Sequence, residues 1–260
     1  MLRPRIIPCL LVSNKGLVKT VKFKDPKYVG DPINAVRIFN EKETDELMIL
    51  DIDATRLNKE PDYRSIELWA SECRMPLCYG GGIKTVEQAK RIFSLGVEKI
   101  ALSYEAINNR KIISKISKIV GCQSVVVVLD VKKKIFGGYE LFTHNGSIST
   151  GLNPIDFAKK CIKEGVGEIV VNSIDKDGTM KGYDLNLIRK IRNVIDTPMT
   201  VLGGAASLDD LAQVINEFGI IGASAGSLFV FKGKYKAVLI NYPSIVEKDN
   251  LVLDNLSIDN

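Results

Sequence analysis

The chain has 260 residues, enough for one large domain with a sizeable core. Its apolar content of 45% includes no run long enough to span a bilayer, and its net charge of +5 is scattered rather than gathered into a basic stripe, so neither a membrane span nor a nucleic-acid partner is expected. Five cysteines without a CxxC pair, behind an N-terminus interrupted too early for a secretory signal, lead us to expect reduced thiols in a cytoplasmic protein.

Short β-branched runs alternate with helical patterns along the chain, the sign of βαβ units. Strands are predicted at 5–12, 46–51, 77–79, 99–103, 124–130, 168–173, 199–202 and 220–225. Their runs lack polar alternation, as parallel strands covered on both faces do. The predicted helices include 31–43, 85–95, 153–164, 184–195 and 207–217, several opened by an Asp, Asn, Ser or Thr suited to an N-cap. Long loops are expected at 13–30 and 131–150, the second with a hairpin around Phe136-Gly-Gly-Tyr139. The tail, 244–260, reads as weakly structured, and no domain linker is visible.

The second half of the chain repeats the first at an offset of 122 residues. Tyr28-Val-Gly-Asp-Pro-Ile33 recurs at Thr150-Gly-Leu-Asn-Pro-Ile155, and Asp45-Glu-Leu47 at Gly167-Glu-Ile169. The glycine segment Gly80-Gly-Gly82 falls in the same frame as Leu202-Gly-Gly204. Each copy has the length of four strand-helix units. Halves of about 1–122 and 123–243 therefore predict a single (β/α)₈ TIM barrel of α/β class with an internal half-barrel duplication.

Barrel chemistry sits at the C-terminal ends of the strands. There the chain places Gly81 and Gly82 after strand 3, and Gly203 and Gly204 after strand 7, each pair followed by a helix start. Glycine lets backbone N–H groups approach an anion, and a helix N-terminus favours negative charge. The following strands end in Ser103-Tyr104 and Gly226-Ser227, again at matching positions. Two such turns on one face predict two phosphates at opposite sides of the mouth, hence an elongated phosphorylated small-molecule substrate. Asp51, Asp53, Asp130, Asp175 and Asp177 also fall at or just past strand ends. Asp130 closes the buried run Val125-Val-Val-Val-Leu129, and its counterpart in the first half is Leu11, at an offset of 119 because the first loop carries the three-residue difference. An acid/base pair straddling the mouth is thus broken. With His144 the only histidine, a multi-His metal centre is excluded and His-based nucleophile activation is not expected; no metal or other cofactor is implied. At the opposite end Arg5, Glu46, Lys99 and Glu168 each begin a strand with alternating sign, as in an ion-pair ring plugging the barrel.

Several segments together resemble one family. Arg5-Ile-Ile-Pro-Cys-Leu10, Lys19, Asp45-Glu-Leu47, Gly80-Gly-Gly-Ile83, Ser173-Ile-Asp-Lys-Asp-Gly-Thr179, Gly182-Tyr-Asp184 and Gly203-Gly-Ala205 are similar to the cyclase subunit of imidazole-glycerol-phosphate synthase of histidine biosynthesis, over about residues 1–243. The resemblance implies a two-phosphate substrate gripped by residues that include Asp177 and Gly178, with Lys19 and Asp130 in the catalytic set. It implies a glutaminase subunit docked at the N-terminal barrel face, whose ammonia passes a gate formed by Arg5, Glu46, Lys99 and Glu168. The family carries Asp where this chain has Leu11, usually Asn at Ser103 and usually Ser at Leu202. Residues 226–243 further resemble a divergent branch that adds amidino groups to surface-polysaccharide sugars, working with a glutaminase and a separate ATP-dependent amidotransferase. The expectation is ammonia delivery to a changed acceptor. The alternatives are a genuine imidazole-glycerol-phosphate synthase subunit, and a catalytically silent barrel that activates a glutaminase.

Overall fold

The computed structural model describes residues 3–253. Eight parallel strands close into a barrel: Arg5–Ser13, Leu47–Asp51, Leu77–Gly80, Lys99–Leu102, Val125–Lys133, Glu168–Ser173, Met199–Leu202 and Gly222–Ala225. They are called strands 1 to 8 below. Each pairs in parallel with the next, and strand 8 closes on strand 1 with Arg5 opposite Gly222. The (β/α)₈ expectation is met, with strand limits displaced by only a few residues.

Alternation along the strands sorts side chains into two cores. Ile7, Cys9, Met48, Cys78, Ala101, Val126, Val128, Val170 and Leu202 fill the barrel, with Leu11 and Leu50 packed against them. A larger cluster that includes Leu10, Ile49, Val127, Val171, Ile92 and Leu211 lies between the strands and the helices. Every strand is therefore buried on both sides, which is why its sequence is so uniformly apolar.

The predicted helices are present with the caps their sequences suggest. Asp31 and Asn153 cap helices Pro32–Glu41 and Pro154–Lys163; Asp184 caps Leu185–Arg192, and Asp62 caps its counterpart Tyr63–Glu72, a helix not named from the sequence. Thr85 and Ser207 form capping boxes at Val86–Ser94 and Leu208–Phe218. Members of each pair stand 122 positions apart.

Two expectations need correction. Segment 13–30 is not an open loop but a meander: Gly16–Val21 pairs antiparallel with strand 1 and with Lys24–Gly30. Its turns use Asn14-Lys15 and Lys22-Phe23, all at positive φ of 47–63°, so the hairpin geometry is met without the glycine that ordinarily announces it. The tail is not weakly structured up to Leu253. Ile245–Leu253 is a helix anchored by Lys248 Nζ, 2.7 Å from Asp45 Oδ1, and preceded by Tyr242, whose hydroxyl donates to Ile6 O over 2.9 Å. The rest of the predicted tail, 254–260, lies outside the described residues. The hairpin after strand 5 forms as predicted, with Tyr139–Thr143 returning antiparallel on Val131–Lys133. No helix among the described residues is long and apolar enough to cross a membrane.

Candidate active site at the barrel mouth

The alternation that buries Val126 and Val128 inside the barrel turns Asp130 inward at its C-terminal end. Asp130 Oδ1 accepts from Asn172 Nδ2 over 2.9 Å, and Oδ2 accepts from the Ser103 hydroxyl over 3.2 Å. Burial pushes the carboxyl up to about 7, and the bonds from Asn172 and Ser103 only partly oppose it. Leu11, Leu50 and Leu202 line the same cleft, so Asp130 faces apolar walls.

Lys19 comes from the first strand of the meander. Its buried ammonium donates to Cys9 O over 2.7 Å, and burial lowers its pKa. A Cβ on Gly226 would sit 2.6 Å from Lys19 Nζ, so a side chain at 226 would displace the ammonium. Asp177 ties the loop after strand 6 to the meander: its carboxylate accepts from Thr20 Oγ1 at 2.7 Å and from Phe23 N at 3.1 Å. Burial raises the Asp177 carboxyl. Gly178, at φ +63°, passes so close to Thr20 that an added Cβ would meet its carbonyl oxygen at 2.0 Å.

Lys19, Gly81, Gly82, Ser103, Tyr104, Asp130, Asp177, Gly178, Gly203, Gly204, Gly226 and Ser227 all line this one cleft. Gly204, at φ +114°, would bring any Cβ to 2.2 Å from Gly182 O, so the second glycine turn is shaped by backbone contact. Of the five mouth aspartates read from sequence, Asp51, Asp130 and Asp177 line the cleft. Asp53 and Asp175 instead hold loops: Asp53 accepts from Ser13 Oγ and Asn14 N at 2.8 and 2.9 Å, and Asp175 accepts from Lys133 N at 2.8 Å. Among the lining residues that the sequence reading did not place at the mouth are His144 and Asn172. Asn172 is the last inward position of strand 6, a place its strand pattern marks; its side-chain Oδ1 is buried without a hydrogen-bond partner among the described residues. His144 lies on the turn after Tyr139–Thr143, where local pattern says nothing of direction. No group of three or more His, Cys, Asp or Glu among the described residues is placed to hold a metal ion.

Arg5, Glu46, Lys99 and Glu168 gather at the other end of the barrel. Lys99 Nζ bridges Glu46 at 2.8 Å and Glu168 at 2.9 Å, while Arg5 hydrogen-bonds Glu46 and reaches Glu168 Oε1 at 2.7 Å. Burial alone would raise the Glu168 carboxyl, but the Arg5 and Lys99 charges overcome it and hold the group below the usual carboxylate range. Thr200 donates a further bond to Glu168, closing the ring.

A parallel barrel whose mouth carries paired glycine turns around a buried carboxyl and a buried lysine, with an ion-pair ring at its base, defines a class of (β/α)₈ protein. The family described as histidine biosynthesis protein matches residues 5–236, and the chain belongs to it. Within that family the likeness is to HisF-type subunits. A Vibrio vulnificus protein named "Putative imidazole glycerol phosphate synthase subunit hisF3" is 61% identical over 95% of this chain and 96% of its own length. The similarly named hisF2 of Pseudomonas aeruginosa is 51% identical over 96% of this chain and 99% of its own. The Imidazole glycerol phosphate synthase subunit HisF of Exiguobacterium sibiricum is 39% identical over 88% of this chain and 91% of its own.

Proposed function

We propose that this chain is a HisF-type synthase subunit that takes ammonia from a glutaminase docked at the N-terminal barrel face. It delivers the ammonia at the mouth to an acceptor other than the histidine-pathway intermediate, in amidation of a surface-polysaccharide sugar with a separate ATP-dependent amidotransferase. The observation that carries this reading is the contrast between the two ends. The charged ring at the base is complete. At the mouth a leucine, Leu11, stands where the acid/base partner of Asp130 is expected, and it cannot move a proton. Relatives whose names carry the word "Putative", with or without a number, are 51–61% identical, against 39% for the HisF of Exiguobacterium sibiricum, which supports a divergent branch.

Asp130, Lys19 and both glycine turns share one cleft, which favours a second reading, genuine imidazole-glycerol-phosphate synthase. Steady-state consumption of the histidine-pathway intermediate with ammonium salt separates the two. Turnover at least about 10²-fold below that of a family member with both acids is expected, the cost of one lost acid/base group. Turnover at the ordinary family rate would promote the second reading. Glutaminase stimulation with no amidation of any sugar acceptor would instead indicate a silent activating barrel.

A further inference from the structure

The hairpin after strand 5 ends in a turn that crosses the barrel mouth. His144, Asn145 and Gly146 are consecutive left-handed residues, with φ of 51°, 56° and 71°. Asn and Gly enter this region readily, and contacts from around the mouth fix where the turn lies. Asn145 Nδ2 donates to Ile52 O over 2.9 Å, after strand 2. The His144 ring meets the Tyr104 ring, after strand 4, at 4.8 Å and 77°. A Cβ on Gly146 would lie 3.3 Å from Phe23 in the meander after strand 1 and 3.4 Å from Ile174 after strand 6. The turn therefore touches the segments following four different strands and roofs the cleft.

His144 and Asp130 line the same cleft. The imidazole Nδ1 is 3.1 Å from the Thr143 hydroxyl, while Nε2 makes no hydrogen bond among the described residues. The titratable group packed directly against the ring is Tyr104; Asp51, Lys84, Glu105, Lys19 and Asp177 join Asp130 around the cleft. The walls beside Asp130 otherwise include Leu11, Leu50 and Leu202, none able to exchange a proton. Imidazole is the side chain best suited to give and take protons at neutral pH.

We propose that His144 is the second proton-exchanging group of the mouth, hydrogen-bonding through Nε2 to a sugar phosphate held between the glycine turns and sharing acid–base work with Asp130. This rests on the reading above that the acceptor is bound at the mouth. The imidazole arrives from the loop after strand 5 rather than from strand 1, so it serves a changed acceptor and does not restore the pair broken at Leu11.

The chain has a single histidine, so ¹H–¹³C NMR of the full chain isolates its two ring C–H signals. Ribose 5-phosphate serves as the probe. We expect these signals to shift saturably on its addition, and their positions to differ in Asp130→Asn. Signals unmoved by ribose 5-phosphate would overturn the ligand contact, and signals identical in Asp130→Asn would overturn the pairing with Asp130. In the amidation assay with the matching glutaminase, His144→Gly, which tolerates the left-handed backbone, should lose amidation and regain it with added imidazole, while glutamine hydrolysis persists. Loss without rescue would reduce His144 to a prop for the turn. The NMR arm needs neither glutaminase nor acceptor, so its outcome is separate from the assignment of the reaction.

Discussion

Asn172 donates to Asp130 across 2.9 Å, yet burial still prevails and carries the Asp130 carboxyl to about 7. The two stand opposite each other on neighbouring strands, 6 and 5. A carboxyl poised there can hold or release its proton under ordinary conditions, as a general acid/base must.

That poise has a stability signature. The ordinary carboxyl value is 3.8, and the folded value is about 7. Between these the folded chain keeps a proton that the unfolded chain has lost, so stability is intact below the lower value and falls as pH rises through the upper one. Asp130→Asn removes the titration. Urea unfolding should find variant and wild type close near pH ~4, with the variant ahead by more than about 1 kcal/mol near pH ~8. A gap independent of pH would mean that Asp130 does not titrate in this window.

The ring at the base gives a second expectation. Lys99→Ala leaves Glu46 and Glu168 sharing Arg5 alone. The loss should be smaller than the roughly 3–5 kcal/mol of a broken, fully buried pair, because the Lys99 and Arg5 side chains remain 18% and 28% exposed. The fold should survive while glutamine hydrolysis uncouples from amidation. The measured quantity is glutamate released per acceptor amidated with the matching glutaminase. An unchanged ratio at unchanged rates would leave the ring as a structural plug.

The mouth should also bind two anions. Crystals grown in phosphate or sulfate are expected to show one near Ser103 and one near Ser227, since both line the cleft beside a glycine turn. Ser227→Asp should remove the second anion by like charge and leave the first. Gly204 is unsuited to this test, because any side chain there meets Gly182 O and reshapes the turn. Two empty sites at high phosphate would refute the expectation.

Much of the fold was legible because parallel-barrel strands are local objects. Val125–Leu129 and Ile169–Val171 are apolar without alternation, and Asp31, Thr85, Asn153, Asp184 and Ser207 announce helix starts through their own hydrogen bonds. The meander of 16–30 was not legible, because Asn14-Lys15 and Lys22-Phe23 adopt left-handed turns without glycine. The helix Ile245–Leu253 was not legible either, because its anchors, Asp45 through Lys248 and Ile6 through the preceding Tyr242, lie about two hundred residues away.

By itself the sequence determined the barrel, the glycine turns after strands 3 and 7, and the placement of Asp130 and Leu11 at matched strand ends. All of these follow from short-range pattern, with strand alternation and chain order doing the placing. Only the tertiary structure decided that Asn172 bonds Asp130, that Lys19 lies buried against Cys9, and that His144 crosses the mouth to meet Tyr104. Each depends on segments that meet only once the barrel has closed. The direction of a side chain on a loop is set by what that loop lands on, and no local periodicity records it.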